Sequence, residues 1–393
     1  FFSPSLLPPL PLWARVRVTL PPAPLPSLSS AYMRGSPWPA HRGGSGRSGI
    51  SPYQPATDLF FTSAPDWTFK PGNSAGEDAS ENLWIYASPV VGSNGTVFYG
   101  NSQGTVYAVS ADGTQKWYKD LGGAITSTIA LGADDRMFVG VTYENATLKD
   151  SCDRSVFNEA HCERAGWFGR MIALNIEGGG ILAQVNVDGP VVSSPALYGE
   201  RMYVGTERGT MYCIDINTLR VIWSRTPHDP QPPDPSDPKA SEDPRHPIES
   251  PNLYGGSIVA SPAVDSFGNV YFAVSFDRDR LPYATDPKAH RAYSMYKYSP
   301  AGVPQWRFLA GYILHSTPAI DEQNGVLYFG GHDNRIVALN LATGLPSACA
   351  QTTDAVSASP ALLPDGSLVY ATEDGHLKAC SPGCRELLWS ANV

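Results

Sequence analysis

The sequence predicts an all-β fold, a β-propeller of four-stranded antiparallel blades, on three observations. The composition favours short strands and tight turns over helices, because the 393 residues include 37 Gly and 36 Pro and only 17% are charged. A short tripeptide returns six times along the chain. Between its copies the same order of strands and turns recurs, and a fixed internal period is the signature of a repeat architecture.

The tripeptide consists of a small residue, then Ser or Thr, and in most copies Pro. Its six copies occupy residues 87–89, 126–128, 193–195, 260–262, 316–318 and 358–360. Successive copies are 39, 67, 67, 56 and 42 residues apart. The shortest spacings match the length of one propeller blade, about 40 residues. We therefore recognise six units, three of which carry insertions.

Each unit contains four short strands joined by turns. Such a unit cannot bury both of its faces alone, and radial stacking against similar units solves this problem. A Trp recurs in the fourth strand of most units, and we interpret it as a structural wedge between blades. These residues are Trp117, Trp223, Trp306 and Trp389. Units two and five have Ala183 and Ala350 near this position, so we expect looser packing between blades there.

The repeats from about residue 60 to residue 393 resemble those of the pyrroloquinoline-quinone-like (quinoprotein alcohol dehydrogenase-like) β-propeller superfamily. Residues 38–52, followed by the segment from Trp67 to Lys70, also resemble the entry sequence of such proteins. In that family an N-terminal Trp strand completes the last blade, which is the role that the resemblance gives to Trp67. We therefore expect seven or eight blades in the intact protein, with this chain a C-terminally truncated fragment.

The N-terminal segment differs in composition from the repeats. Residues 1–57 are rich in Pro, Ser and Leu and contain five Arg but no acidic residue. This composition is typical of a targeting segment and equally of a disordered leader. We therefore divide the chain into a low-complexity leader, residues 1–57, and a propeller, residues 58–393.

Three insertions interrupt the repeat, at about residues 141–168, 226–253 and 275–292. The first and third lie between the second and third strands of a unit, and the second joins a fourth strand to the next first strand. In a meander that reverses at every turn, these connections emerge on one face of the propeller. Loops on a rigid scaffold are where binding residues collect, so this face is the predicted functional surface.

We place the candidate binding site on this face and around the mouth of the central channel. Its residues are Trp84, Tyr86, Asp153, His161, Trp167, Tyr254, Asp277, Arg278, Tyr312, His315 and Asp354. His315 occupies the position of Tyr86 and Ser357 in other units, and a purely structural histidine is the alternative interpretation. No catalytic residue is assigned, and whether the face holds a metal is left open.

Charge and hydropathy narrow the classes of partner. The net charge of −9 argues against nucleic acid, which needs a basic face. Pro interrupts every apolar run before it reaches the length of a membrane span. The expected partner is therefore a protein, a peptide or a carbohydrate.

The cysteines and two sequence patterns bear on the compartment. Two pairs lie close together in the sequence, Cys152 with Cys162 and Cys380 with Cys384, and each is compatible with a disulfide or with free thiols. Acceptor patterns for N-glycosylation begin at Asn94 and Asn145. Together these features favour a secreted, periplasmic or organellar protein over a cytoplasmic one.

Three functions fit these observations. The first is a non-catalytic binding or scaffold propeller that needs no cofactor. The second, implied by the resemblance, is a dehydrogenase dependent on pyrroloquinoline quinone (PQQ) and calcium, but such enzymes carry an adjacent Cys-Cys pair, and no two of the six cysteines here are adjacent. The third is the sensor domain of a larger signalling protein such as a kinase. We favour the first and leave enzymatic activity open, since fold alone does not determine function.

Overall fold

A computed structural model shows six four-stranded antiparallel sheets, each built from consecutive strands, which confirms the predicted β-propeller. It describes residues 32–33, 40–47, 67–70, 84–145, 166–227, 256–277, 291–310 and 314–392. The described helical structure is limited to two 3-10 turns, at His41–Gly43 and Pro382–Cys384.

The first three blades follow one another without a crossover. Blade 1 contains β1 (Val90–Val91), β2 (Val97–Gly100), β3 (Thr105–Val109) and β4 (Gln115–Asp120). Blade 2 contains β5 (Ala130–Leu131), β6 (Arg136–Glu144), β7 (Trp167–Asn175) and β8 (Ile181–Val187). Blade 3 contains β9 (Ala196–Tyr198), β10 (Arg201–Gly205), β11 (Met211–Asp215) and β12 (Val221–Arg225).

The last three blades repeat this order. Blade 4 contains β13 (Ala263–Val264), β14 (Val270–Asp277), β15 (Arg291–Tyr298) and β16 (Pro304–Leu309). Blade 5 contains β17 (Ala319–Asp321), β18 (Val326–Gly331), β19 (Arg335–Asn340) and β20 (Pro346–Gln351). Blade 6 contains β21 (Ala361–Leu362), β22 (Leu368–Thr372), β23 (His376–Cys380) and β24 (Leu387–Asn392).

The position of a strand within its blade explains its hydrophobic pattern. The third strand of blade 1, β3, is buried at every residue because neighbouring elements cover both of its faces. Its sequence is accordingly an apolar run rather than an alternation. The fourth strand, β4, alternates between exposed and half-buried residues at the rim. The core is thus a series of apolar layers between adjacent blades.

A chain of hydrogen bonds between inner strands links all six blades around the axis. In blades 1 to 5 the backbone N–H of the ring-position Ser or Thr donates to the hydroxyl of the equivalent residue in the next blade. The five bonds run from Ser88 to Thr128 (3.1 Å), Thr128 to Ser194 (3.0 Å), Ser194 to Ser261 (2.9 Å), Ser261 to Thr317 (3.3 Å) and Thr317 to Ser359 (2.9 Å). We call these six side chains the hydroxyl ring.

The hydroxyl ring corrects the sequence alignment of unit two by one residue. The alignment placed Ser127 at the ring position, whereas the structure places Thr128 there. Ser127 instead occupies the preceding position, which in blade 3 is taken by Ser193, whose hydroxyl bonds to the backbone of Gly205. The alignment slipped because unit two has Ile129 where other units have Pro, which removed the strongest marker.

Three Trp side chains connect a blade to its neighbour in one repeated geometry. The indole N–H donates to a backbone carbonyl in the next blade's turn between third and fourth strands: Trp117 to Ile176 (2.9 Å), Trp223 to Pro300 (2.9 Å) and Trp306 to Leu341 (3.0 Å). The ring lies over a glycine of that turn, at Gly179, Gly302 or Gly344. Each of these glycines has a positive φ, and an added Cβ would come within 3 Å of the indole, so the turn requires glycine.

Trp67 makes the same contact with blade 1, although it lies outside the six sheets. Its indole donates to the carbonyl of Ala111 at 2.9 Å, and its ring lies over Gly113. Phe69 follows and packs edge-on against Tyr99 and Tyr107. Relative to blade 1, Trp67 therefore stands where the fourth-strand Trp of a preceding blade stands.

The boundary between blades 2 and 3 has no Trp, and two other residues take over its contacts. Ala183 stands at the Trp position, and the turn facing it carries Leu219 instead of glycine, with φ of 50° and only 4% exposed. Both residues belong to one apolar cluster. Arg136 donates from Nη1 to the carbonyl of Ile216 at 2.8 Å, at the site equivalent to the indole's acceptor. The expectation of looser packing is wrong at this boundary, since Leu219 fills the volume.

The boundary between blades 5 and 6 uses a disulfide in the equivalent place. Here the left-handed turn residue is Cys384, which is 4% exposed and bonded to Cys380. Tyr328 of blade 5 accepts a hydrogen bond from the N–H of Gly383 at 2.8 Å. The strand register also assigns the Trp position of blade 5 to Ala348 rather than to Ala350.

We predict that the Trp–Gly and Ala–Leu pairs are interchangeable only as pairs. Leu219→Gly alone should destabilise the protein by about 2–5 kcal/mol through the cavity that it leaves. Ala183→Trp alone should cost about 1–3 kcal/mol by overpacking against Leu219. The double variant should lose much less than the sum, measured by urea unfolding. Additive losses would show that the two side chains do not share one volume.

We also predict that the hydroxyl ring contributes to stability through its acceptors. Ser194→Ala should destabilise the protein by about 1–3 kcal/mol, because the buried N–H of Thr128 loses the hydroxyl that accepts its hydrogen bond. Ser194→Thr should retain most of the stability, since Thr occupies the ring in blades 2 and 5. Ser224→Ala on exposed β12 is the matched control, with a change within about 0.5 kcal/mol.

Candidate functional site

One end of the propeller, which we call the insertion face, is formed by the connections between second and third strands and by those that enter each first strand. The first insertion leaves the described chain at Asn145 and re-enters at Gly166, and the N–H of Asn145 donates to the carbonyl of Gly166 at 2.6 Å. The strand order therefore directs this insertion, like the other two, to the same end of the sheets.

Trp84 and Tyr86 lie on this face at the entry to β1. Their rings stack with centroids 6.4 Å apart and an interplanar angle of 21°. Trp84, Ile85 and Tyr86 are 59%, 53% and 64% exposed. Ser102 holds the segment in place, because its N–H donates to the carbonyl of Trp84 and its hydroxyl accepts from the N–H of Trp84. Three consecutive large apolar side chains are thus presented to solvent on a fixed backbone.

Trp167 begins β7 beside a second aromatic group. Tyr143 and Phe168 stack at 5.3 Å, and the guanidinium of Arg170 lies 4.9 Å from the Tyr143 centroid. Arg208 of blade 3 donates to the carbonyl of Trp167 at 3.2 Å. Together these residues anchor both ends of the first insertion to blades 2 and 3.

His315 belongs to a polar cluster between blades 5 and 6. Its ring meets that of His332 edge-on at 5.3 Å. Nε2 of His332 lies 2.8 Å from the hydroxyl of Ser357, which donates to the carboxylate of Glu373. The same carboxylate lies 3.9 Å from Nε2 of His332. The cluster thus brings a carboxylate, a hydroxyl and two imidazole rings together at the mouth of the channel.

Of the remaining predicted site residues, the structure describes Asp354 and Asp277. Asp354 caps its own loop, with its carboxylate accepting from the N–H of Ala355 at 2.8 Å, which is a structural role. Asp277 ends β14, where it pairs in register with Arg291. Outside the described residues lie Asp153, His161, Tyr254, Arg278 and Tyr312. The composition of the site therefore stays a prediction.

An apolar cleft of about 180 Å³ opens between blades 4 and 5 near His332. Phe308 and Phe329 meet edge-on in its wall at 6.1 Å, and Leu314 and Val337 contribute further apolar surface. Asp333 lies at its polar edge, where burial raises the pKa of its carboxyl. The cleft accommodates one apolar side chain next to a hydrogen-bonding group.

The channel itself is crossed by a segment that the composition assigned to the leader. The boundary at residue 57 stays a prediction, yet residues 32–33 and 40–47 bond to the inner parts of five blades. The contacts are Ser93 N–H to the Met33 sulfur, Met33 N–H to Leu131, Leu197 N–H to the Tyr32 hydroxyl, Val264 N–H to Ser45 and Ile320 N–H to Gly46. We call this segment the axial plug.

Arg47 of the axial plug is fully buried, with no exposed surface. Its guanidinium donates to the carbonyls of Pro262 (3.0 Å), Ser194 (3.0 Å), Pro195 (2.8 Å) and His41 (2.6 Å). Backbone carbonyls rather than a carboxylate thus satisfy this buried cation. Burial lowers the pKa of Arg47 despite the opposing effect of Tyr32.

Part of the chain matches a known protein family. A family model described as "Outer membrane protein assembly factor BamB", of the PQQ-repeat type, matches residues 102–242, which begin in the turn between β2 and β3 of blade 1 and extend past β12 of blade 3. The match covers about a third of the chain, which as a whole is a β-propeller with repeats similar to the PQQ type. No curated protein sequence matches it.

Three solved structures resemble this propeller at low sequence identity. BamB from Moraxella catarrhalis is 15% identical, with 75% of this chain and 84% of that chain covered and a TM-score of 0.41. The quinohemoprotein alcohol dehydrogenase ADHIIG from Pseudomonas putida HK5 is 14% identical over 76% and 56%, with a TM-score of 0.49. That from Comamonas testosteroni is 12% identical over 93% and 74%, with a TM-score of 0.50. The last likeness supports the fold alone.

The described residues do not provide the donors that PQQ with calcium needs in such dehydrogenases. The disulfide seen, between Cys380 and Cys384, lies in the turn before β24, at the end opposite the insertion face. Within the described ranges no three His, Cys, Asp or Glu side chains lie close enough to hold a metal ion. We therefore derive no chemical step through this cofactor.

Sequence reasoning missed His332, Glu373 and the axial plug. The repeat itself contained a signal for the first two. His332 and Glu373 stand at the turn position that Ser102 occupies in blade 1, and the turn does not require a titratable side chain there. No comparable signal existed for Arg47, because its partners lie up to 215 residues away in the sequence.

We predict that His41 makes the protein sensitive to acid. Burial, together with Arg47 and Arg42, lowers the pKa of His41 to about 3. In the unfolded chain the pKa of His is about 6.5. At a pH between the folded and unfolded pKa values only the unfolded state binds the proton, so the free energy of unfolding falls as the pH falls. His41→Asn should therefore show a smaller loss of stability between pH 7 and pH 4.5 in thermal unfolding. Ser224→Asn, on exposed β12, changes no titratable group and should keep the wild-type slope.

Proposed function

We propose that the protein is a non-catalytic binding propeller that presents its insertion face to a protein partner. The observation that carries this proposal is the exposure of Trp84, Ile85 and Tyr86, each more than half exposed, in one segment at the channel mouth. Contiguous exposed apolar surface on a folded protein marks interaction sites. Trp and Tyr are also the side chains that most often dominate binding energy at protein interfaces.

Other groups on the insertion face, in blades 4 to 6, favour a polypeptide over a sugar. The cleft between blades 4 and 5 offers a pocket with Phe308 and Phe329 in its wall, which suits an apolar side chain. The cluster of His332, Ser357 and Glu373 offers both donors and acceptors to a backbone or a polar side chain. Stacking on Trp84 and Tyr86 alone also suits a carbohydrate, which becomes an outcome of the test. The description of the matching family model names an assembly factor for other proteins.

We propose further that the protein acts in an oxidising compartment, which is secreted, periplasmic or organellar. The disulfide between Cys380 and Cys384 fills the boundary between blades 5 and 6, and such bonds persist where thiols are not kept reduced. None of the helical turns in the described ranges approaches the length and apolarity of a membrane-crossing helix.

We predict that replacing both aromatic rings weakens partner binding without unfolding the propeller. A photo-crosslinking residue at Ile85 should capture a protein partner in the source cells, and the same residue at Phe267 should not. Phe267 is the matched control, because it is 80% exposed in the turn before β14, at the opposite end. For the partner so identified, Trp84→Ala with Tyr86→Ala should raise Kd by about 10- to 100-fold in isothermal titration.

Several outcomes would count against the proposal. Equal crosslinking at both positions would remove the insertion face as the docking surface. Binding of oligosaccharides but of no protein would reassign the aromatic segment to carbohydrate. A stoichiometric quinone absorbance after adding PQQ and calcium, with dye-linked alcohol oxidation, would favour the dehydrogenase instead.

A further inference from the structure

The propeller axis is lined by hydrogen-bond donors. Each hydroxyl-ring side chain from Thr128 to Ser359 accepts a backbone N–H, which leaves its own O–H free to donate. Throughout the described chain, no acceptor takes these O–H groups, apart from a 3.5 Å contact of Thr317 with Nε2 of His41. The ring therefore presents unused donors around the channel.

The axial plug adds positive charge at the same level. Arg42 donates from Nη1 to the carbonyl of Thr317 at 3.4 Å, which places its guanidinium beside a member of the hydroxyl ring. Its Nη2 is buried and has no hydrogen-bond partner among the residues that the structure describes. Arg47 lies close by and is fully buried among backbone carbonyls. Burial and Arg47 together lower the pKa of Arg42 to about 9.

Within the described ranges no acidic side chain pairs with either of these two cations. The titratable group that acts on Arg42 is Arg47, and the one that acts on Arg47 is the phenol of Tyr32. Both cations act in turn on the neighbouring His41. An uncompensated charge inside a protein is strongly destabilising, and an unsatisfied guanidinium N–H adds to the cost. A negatively charged group at this position would remove both penalties.

We propose that a small oxyanion, with the chemistry of phosphate, sulfate or a carboxylate, binds on the propeller axis between Arg42 and the hydroxyl ring. The planar guanidinium matches two oxygens of such an anion, and the ring hydroxyls donate to the others. The anion would bond the axial plug to the inner strands. This site is separate from the aromatic segment at Trp84 and does not depend on the proposed partner.

The test compares anion effects on thermal unfolding of the whole chain at constant ionic strength. Replacing chloride by phosphate should raise the Tm of the wild type by about 2–4 °C in a saturable manner. Arg42→Gln should abolish this saturable part. Arg201→Gln is the matched control, because its guanidinium also donates to a backbone carbonyl, of Pro300, but between the outer parts of blades 3 and 4. The control should respond like the wild type and thereby measure the general effect of salt.

Isothermal titration of the wild type with phosphate, and separately with acetate, gives a second reading that does not depend on any variant. We expect a one-site isotherm for at least one of the two anions, and the comparison distinguishes a tetrahedral oxyanion from a carboxylate. Equal Tm shifts in all three proteins, or no saturable heat with either anion, would overturn the proposal.

Discussion

The hydrogen bond from one inner-strand backbone to the next blade's hydroxyl is the constraint on which the propeller depends. It connects each blade to its neighbour near the axis, where short strands such as β1 and β13 contribute only two residues each. A side chain with a hydroxyl on a short stem is the simplest group that accepts a bond there without widening the channel. This requirement explains why the ring position is Ser or Thr in all six blades, while the residue before it is Ala in three blades and Ser in the other three.

Farther from the axis, the blades are held together by matched volumes. Where the fourth strand supplies a Trp, the neighbouring turn supplies a glycine with positive φ, and where it supplies an Ala, the turn carries Leu219 or Cys384. Neither partner can be assessed alone, because dense packing fixes the sum of the two volumes rather than either one. The disulfide at Cys384 is thus part of the packing between blades as well as a covalent bond.

The two functional regions differ in how the fold builds them. The insertion face is formed by loops, so its chemistry is free to vary while the strands stay unchanged. The axis is formed by the ring and by the plug, where every change touches several blades at once. Arg47 illustrates this, since one side chain bonds to the inner strands of blades 3 and 4 and to the plug itself. A partner on the face and an anion on the axis would therefore act on separate parts of one rigid body.

The sequence by itself determined the number of units, the order of strands and the face on which the insertions emerge, because these follow from local periodicity and the alternation of chain direction. It also marked Trp84, Tyr86 and His315 as candidates through their positions in the repeat. Only the tertiary structure decided that Thr128 rather than Ser127 belongs to the ring, that Leu219 replaces a Trp contact and that Arg47 lies in the channel. Each of these depends on a neighbour tens to hundreds of residues away, and local pattern carries no information about such distances.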